Sequence, residues 1–350
     1  SHSHTHTHAH SHTHGRSKLR VPNSGQHDVA DVRSGGSGWR LREGDKVWRD
    51  GDRDADGGAG GEAIGMGGFI LARAFAGELR VAGETTVDMR AFGGDGGSGV
   101  NGGRGGDASG GGLQIGTASG AQIPDEFNGS ATFTTISSFI ENTGGNGGTA
   151  SDGTGGEGGI GLGGNQTLLV RGANATADTV DFENIGIGGN GGSGPTQGDG
   201  GDGIGGSVQA TITQAFENPG RGSANVGSLV FRSQGIGGDG ATPGSSNFAR
   251  FGNFFVRQSD AQIGSIDIQL IGDSPADFLV DDGMGNPVPV DVFPYGLILE
   301  NATLDTDVIN ITTSGELELN VTESLLTTRV FDLTAGAFVL PEVDPNSMDP

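Results

Sequence analysis

The sequence predicts an all-β protein, specifically a right-handed parallel β-solenoid with polyglycine II-like glycine-rich arms packed along one side. Three observations predict this fold. Glycines recur with a period of three, alternating apolar segments lie between the glycine tracts, and the combined unit repeats every 44 to 51 residues. A period of three fits neither an α-helix nor a strand, but it is the pitch of an extended helix with three residues per turn. Units of this kind bury a continuous apolar column only when they stack.

The glycine tracts are predicted at 93–112, 144–164, 188–206 and 235–246. In the third tract the phase holds across nineteen residues, at Gly188, Gly191, Gly194, Gly200, Gly203 and Gly206. Each tract is interrupted near its middle, for example by Pro195-Thr196-Gln197, which predicts a hairpin of two extended arms. We expect arms of neighbouring units to pack on each other. The alternative is that the tracts are disordered spacers.

The segments between the tracts carry strand signals. Thr179 to Ile185 alternates apolar and polar residues, the pattern of a half-buried strand. After residue 246 the tracts stop and strands are predicted at 254–256, 265–270, 297–299, 308–311, 317–321 and 330–333. The intervening segment 272–295 holds four prolines, and we interpret it as an excursion from the solenoid wall.

The organisation along the chain predicts four parts. These are a His-rich segment at 1–56, solenoid repeats with glycine arms at 57–246, plainer coils at 247–340 and a tail at 341–350. Within the first part, Asp31 to Gly38 resembles a strand entering a glycine tract, and Gly57 to Gly68 resembles a returning arm. We therefore favour a diverged first repeat with an insertion around Trp39 to Asp56. An engineered leader is the alternative.

Composition narrows the classes of partner. The net charge of −24 argues against nucleic acid, and such an acidic surface attracts cations, with Ca²⁺ as the extracellular candidate. No window of eighteen apolar residues occurs, so no membrane span is expected. The absence of cysteine excludes a disulfide framework. The chain opens without a signal sequence, which we interpret as a processed product or a piece of a longer protein.

Seven histidines at the start alternate with Ser, Thr or Ala: His2, His4, His6, His8, His10, His12 and His14. In an extended chain their imidazoles would lie on one face about 7 Å apart, a spacing suited to borderline transition-metal ions. Biological metal binding is one hypothesis. A purification tag gives the same chemistry, and a third hypothesis is a polar strand that pairs with the sheet edge of another chain.

Candidate catalytic groups are few. Asp277, Asp281 and Asp282 lie in the proline-rich excursion, and no histidine follows His27 to partner them. We therefore expect no enzymatic activity, with a solenoid polysaccharide lyase or hydrolase as the alternative. The tract acids invite comparison with calcium β-rolls, but only Gly96 to Asn101 approaches that consensus. We expect these acids to be solvated rather than to bind calcium, and no cofactor is predicted to be required.

One repeat carries a family resemblance. Leu168 to Gly172 and Thr179 to Phe182 form a strand pair, which Gly186 to Gly194 closes and Gly201 to Gly206 reopens. This pattern resembles the repeats of large glycine-rich, autotransporter-like surface proteins of proteobacteria, and the tracts also resemble the polyglycine layers of certain phage tail-tip adhesins. The resemblance covers about residues 60–340. It implies an extracellular or cell-surface structural or adhesive role and names no ligand. Surface glycans are a separate candidate class of partner.

The ends of the predicted solenoid suggest how it is used. Open strand edges recruit further strands unless they are capped, and no helical cap is evident at either end. We expect head-to-tail association with copies of the chain or with the rest of a longer polypeptide, residues 1–34 supplying part of the junction. The predicted protein is thus a surface adhesin segment or a self-associating fibre subunit.

Overall fold

The computed structural model describes residues 33–35, 38–40, 63–74, 77–117, 129–214, 221–247, 253–272, 279–281, 287–289 and 295–340. Every regular element in these ranges is a β-strand, and they contain no helix. The main strands form two parallel sheets. The predicted all-β class and the parallel pairing are therefore confirmed.

The first sheet, sheet A, has eleven strands among the described residues. Eight follow one another through the stack: β3 (Ala63–Ala74), β5 (Ala108–Thr117), β8 (Asn165–Arg171), β11 (Ser207–Thr213), β14 (Asn253–Arg257), β18 (Tyr295–Glu300), β20 (Glu316–Thr322) and β22 (Ala337–Val339). Three two-residue strands form a column beside β5: β7 (Gly161–Leu162), β10 (Gly203–Ile204) and β13 (Ser246–Asn247). This column marks where the glycine arms rejoin the sheet.

The second sheet, sheet B, has seven described strands, all parallel. In stack order they are β4 (Glu78–Phe92), β6 (Ser130–Thr143), β9 (Asn174–Ile187), β12 (Ser223–Ile236), β15 (Asp260–Ile271), β19 (Thr303–Thr313) and β21 (Leu325–Thr334). The chain alternates between the sheets, so that one A strand and the following B strand form a unit that we call a rung. Successive rungs stack in chain order.

Each B strand turns a corner near its middle. In β12 both Gly227 and Ser228 lie on the outer side, which interrupts the alternation, and Gly227 is skipped in the pairing with both neighbours. The same skip occurs at Asp178 in β9 and at Arg329 in β21. The corners lie in register, so sheet B curls strongly along the whole stack.

The core consists of inward side chains that repeat from rung to rung. Val180, Leu229 and Ile266 pair in register across three neighbouring B strands and are fully buried. In the next inward row the rings of Phe182 and Phe231 stack 5.2 Å apart with an interplanar angle of 4°. Because no rung has enough apolar surface alone, stacking supplies the hydrophobic stabilisation.

Two antiparallel hairpins stand apart from the main sheets. They pair β1 (Arg33–Gly35) with β2 (Gly38–Arg40), and β16 (Leu279–Asp281) with β17 (Pro287–Pro289). The first lies within the segment that we interpreted as a strand entering a glycine tract, and β2 lies against β4. The second hairpin falls within the predicted excursion.

The predicted strands after residue 246 are all present, but all four tracts are shorter than predicted, and two of the changes are clear examples. Strand β5 begins at Ala108 rather than after residue 112, and β12 runs on to Ile236. In both places glycine or small residues continue the ladder of the neighbouring rung, so composition misplaces the boundary. The right-handed solenoid and the four-part division of the chain stay predictions.

Candidate functional site

The four glycine tracts leave the same end of neighbouring B strands and return to sheet A. They occupy 93–107, 144–160, 188–202 and 237–245, following β4, β6, β9 and β12. In each tract an outgoing arm leads away from sheet B and a returning arm leads towards sheet A. We call this assembly of arms the glycine layer.

The outgoing arms are joined to one another by backbone hydrogen bonds at every third residue. The amide of Gly93 donates to the carbonyl of Thr143, and that of Gly96 to Asn146, both at 2.8 Å. The same bonds recur at later levels, from Gly144 to Ile187, Gly147 to Asn190, Gly188 to Ile236 and Gly191 to Asp239. A three-residue turn brings every third amide to the same side, so the glycine period sets this spacing.

A second set of bonds joins outgoing arms to returning arms. The amide of Gly106 donates to Gly94 at 2.7 Å within the first tract, and Gly145 of the second tract donates to Gly106 at 2.8 Å. Equivalent pairs are Gly159 to Gly145, Gly189 to Gly159, Gly201 to Gly189 and Gly238 to Gly201. The predicted contacts between arms are therefore present, and the layer is linked in two directions by main-chain groups alone.

Side chains are excluded from two of the three positions in each triplet. A Cβ atom on Gly147 would overlap the carbonyl oxygen of Gly156, and one on Gly148 would overlap that of Gly97. The third position, as at Thr149, is exposed. The glycines are thus required by the close approach of neighbouring backbones.

Side chains at the third position form a ladder along the outgoing arms. The side-chain oxygen of Asp95 accepts from the amide of Asn146 at 2.8 Å, that of Asn146 from Asn190 at 3.0 Å, and that of Asn190 from Asp239 at 2.8 Å. In the returning arms the side-chain oxygen likewise accepts from the amide one level on. The acceptor and donor pairs are Asn101 and Thr154, Asp107 and Ile160, Asp199 and Thr242, and Asp202 and Ser245. We call these contacts the Asx ladder. Four tract acids, Asp95, Asp107, Asp199 and Asp202, are therefore more than solvated groups, because each accepts the third amide of the next triplet.

The Asx ladder gives a direct prediction for Asn190. Asn190→Ala removes the acceptor of the Asp239 amide and should lower the free energy of unfolding by about 0.5–1.5 kcal/mol. Asn190→Asp keeps an acceptor oxygen and should retain most of the stability. Urea unfolding checks the energies, and hydrogen exchange at the Asp239 amide checks the cause. Equal exchange rates in the two variants would contradict the ladder.

Buried amide side chains tie the base of the tracts to both sheets. Asn184 Nδ2 donates to the carbonyls of Ser207 at 2.7 Å and Gly164 at 3.2 Å. One level earlier, Asn142 Nδ2 donates to Gly110 and Leu162. These bonds satisfy carbonyls where the chain changes from arm to strand. Sequence analysis missed these residues, because a single Asn at a strand end carries no recognisable signal.

The structure leaves most predicted site residues untested. His2, His4, His6, His8, His10, His12 and His14 lie outside the described residues, as do Asp277 and Asp282, and the side chain of Asp281 is not described. In the part that is described, no three His, Asp or Glu side chains gather in a group that could hold a metal ion. Metal, calcium and glycan binding stay predictions.

The ionised groups of the described strands pair at the surface. Arg257 Nε lies 3.1 Å from Glu300, and Arg329 Nε lies 2.9 Å from Asp307. A hydrogen bond to Asp88 raises the pKa of Arg90, whereas burial, followed by the charge of Arg171, lowers that of Arg73. The ion pairs lie at separate places on the sheets and do not converge on a single site.

Tyr295 is the single tyrosine of the chain and is fully buried, with no hydrogen-bond partner for its hydroxyl among the described residues. Burial raises the pKa of this hydroxyl far above its ordinary value. Its contribution to stability is therefore complete below the unfolded pKa of about 10 and is lost as pH rises above that value. Phenolate absorbance should appear only together with loss of the β circular-dichroism signal. Titration near pH 10 in a folded chain would contradict this.

Comparisons with protein-family models, with curated proteins and with solved structures find no match to this chain. The resemblance to autotransporter-like surface proteins thus stays a prediction that depends on the repeat pattern. No helix in the described part of the chain is long and apolar enough to cross a membrane.

Proposed function

We propose that this chain is an extracellular structural or adhesive protein built as a right-handed parallel β-solenoid, with the glycine layer packed as polyglycine II along one side. The observation that carries the proposal is the continuous backbone hydrogen bonding between levels, in both the sheets and the glycine layer. Such a molecule is a scaffold whose repeats each contact their neighbours.

The constant register supports the solenoid. From β6 to β21, each B strand pairs with the next through the same inward rows and the same corner position. A two-residue connection leads from β8, β14, β18 and β20 to the following B strand, for example at Gly172 and Ala173 between β8 and β9. Repeated coils of one shape account for this regularity.

The three-residue hydrogen-bond period supports polyglycine II packing. In the second and third tracts the first amide of a regular triplet donates to the next level and the second to an opposing arm, while the Asx ladder pairs the third amide at seven sites of the layer. A layer with hydrogen bonds in two directions gains lateral rigidity without an apolar core. Rigidity of this kind suits a structural or adhesive protein.

The outer face of sheet B supports an adhesive role. Polar side chains repeat there in register, and one row contains Thr132, Thr176, Asn225, Gln262 and Asp305. Hydroxyl, amide and carboxylate groups at the strand spacing of about 4.8 Å form a long hydrogen-bonding surface. Surface glycans offer matching hydroxyl groups and are the ligand class that we propose.

Binding and turnover should be measured on the same sample. We expect the full chain to bind members of a panel of immobilised bacterial and host glycans and to leave acidic polysaccharides at their starting length. Thr176→Ala with Asn225→Ala should weaken glycan binding, while Glu78→Gln, an exposed change near the start of β4, should not. Shortening of the polysaccharide would overturn the proposal in favour of a lyase or hydrolase.

A further inference from the structure

We infer that two copies of this chain associate through their C-terminal ends, around a two-fold axis, by joining the free edges of β21 and β22. The inference rests on the proposed structural function and specifies its partner: a second copy bound end to end. It replaces open-ended head-to-tail growth by a closed pair.

The apolar rows of the stack reach the C-terminal end without being covered. Ile309 of β19 is 0% exposed, but Phe331, which follows it in the same row of β21, is 46% exposed. In sheet A, Leu317 is 0% exposed and its partner Phe338 on β22 is 48% exposed. These side chains occupy inward positions and lack only the next level. The end therefore presents an unfilled core surface.

The N-terminal end is different. β4 is the last described strand of its sheet, and its inward residues Leu79 and Val81 are half-buried like Leu326 and Leu333 of β21. But Val87 and Met89 are only 3% and 6% exposed, whereas Phe331 is 46% exposed. The hairpin of β1 and β2 lies against β4. Head-to-tail growth needs two complementary open ends, whereas a two-fold contact needs only one kind of surface. The asymmetry of the described ends favours the two-fold contact.

The geometry of β21 is compatible with pairing to itself. The strand runs from Leu325 to Thr334, and its corner at Arg329 and Val330 lies at the midpoint. Antiparallel pairing of two copies about this midpoint superposes the corners and places Leu326 opposite Leu333 of the second copy. Both residues pack against the apolar core from inward positions. The long unpaired edge supplies the backbone groups for such pairing.

Within the printed sequence, the segment after β22 is a poor alternative occupant of this end. Residues 341–350 contain Pro341, Pro345 and Pro350, and proline has no amide to donate to a ladder. A second copy offers two strands of matching length and the same apolar rows. Because the net charge is −24, repulsion between copies should weaken the pair at low ionic strength.

Because the chain has no cysteine, single-cysteine variants of the full chain test this geometry. Arg329→Cys places a thiol at the proposed axis, and Ala82→Cys is the control at the corner of β4, an exposed position at the other end. With diamide as oxidant, Arg329→Cys should cross-link to itself, whereas Ala82→Cys should not. Cross-linking only in a mixture of the two variants would establish head-to-tail contact and overturn the inference.

Light scattering of the unmodified chain at raised salt gives an independent readout, with twice the monomer mass expected. Phe331→Asp with Phe338→Asp should raise the dissociation constant roughly tenfold or more. The same substitution at exposed Phe92, on β4, should leave it unchanged. A monomer at all concentrations, or filaments, would overturn the inference and leave glycan binding intact. Polysaccharide cleavage would overturn the proposed function without affecting the dimer mass.

Discussion

Gly147→Ala is expected to lower the free energy of unfolding by about 3 kcal/mol or more, at the upper end of overpacking effects. The added Cβ would overlap the carbonyl oxygen of Gly156 and lie 2.8 Å from the amide nitrogen of Gly192. Both neighbours are main-chain atoms held in hydrogen bonds, so neither can rotate away. Urea unfolding followed by circular dichroism measures the loss.

Thr149→Ala is the matched control, two residues further along the same arm. Thr149 is exposed at the third triplet position, and this change should shift stability by no more than about 0.5 kcal/mol. The contrast separates close approach of backbones from a general sensitivity of the tract. Similar losses in the two variants would show that the arms do not pack as described.

Phe231→Ala is expected to destabilise the protein by about 3–5 kcal/mol, the range for a large aromatic side chain removed from a core. Phe231 is fully buried and stacks on Phe182. Its removal opens a cavity between levels of one inward row, and the flanking strands are held in register by their ladders. The shift in the urea midpoint measures the effect.

Two further variants give this prediction its controls. Phe92→Ala removes the same side chain from a half-exposed position and should cost less than about 1 kcal/mol. A double-mutant cycle with Phe182→Leu should return a coupling of about 0.5–1.5 kcal/mol for the stacked rings. Zero coupling would indicate that Phe231 contributes through burial alone.

The glycine period of three predicted the packed arms, because close packing of backbones requires glycine at fixed positions of the sequence. Wherever a Cβ would strike a neighbouring carbonyl, as at Gly147 and Gly148, only glycine fits. The sequence pattern that corresponds to the Asx ladder is less specific. Asp95, Asn146, Asn190 and Asp239 already align between glycines in the sequence. Their role was missed because an acceptor is recognised only when the amide that it meets is known.

Other features left no usable pattern. Asn142 and Asn184 bond to carbonyls that are far away in sequence, and the hairpin at Arg33–Arg40 has the same glycine composition as an arm. The side chain of Tyr295 is fully buried. The bonds of Asn142 and Asn184 and the burial of Tyr295 depend on contacts that local composition does not predict, and the hairpin is a local pairing that composition does not distinguish from an arm.

By itself the sequence determined the local geometry: extended arms where glycine recurs in threes, and strands where apolar residues alternate. Both periods follow from steric limits and side-chain direction within a few residues. The tertiary structure decided which groups meet between levels, and it left Phe331 and Phe338 exposed while burying Val87 and Met89. All four are apolar residues in alternating strand patterns, and such a pattern does not tell which of them another strand covers. Burial depends on the presence of a neighbouring level, and that is a property of the whole stack.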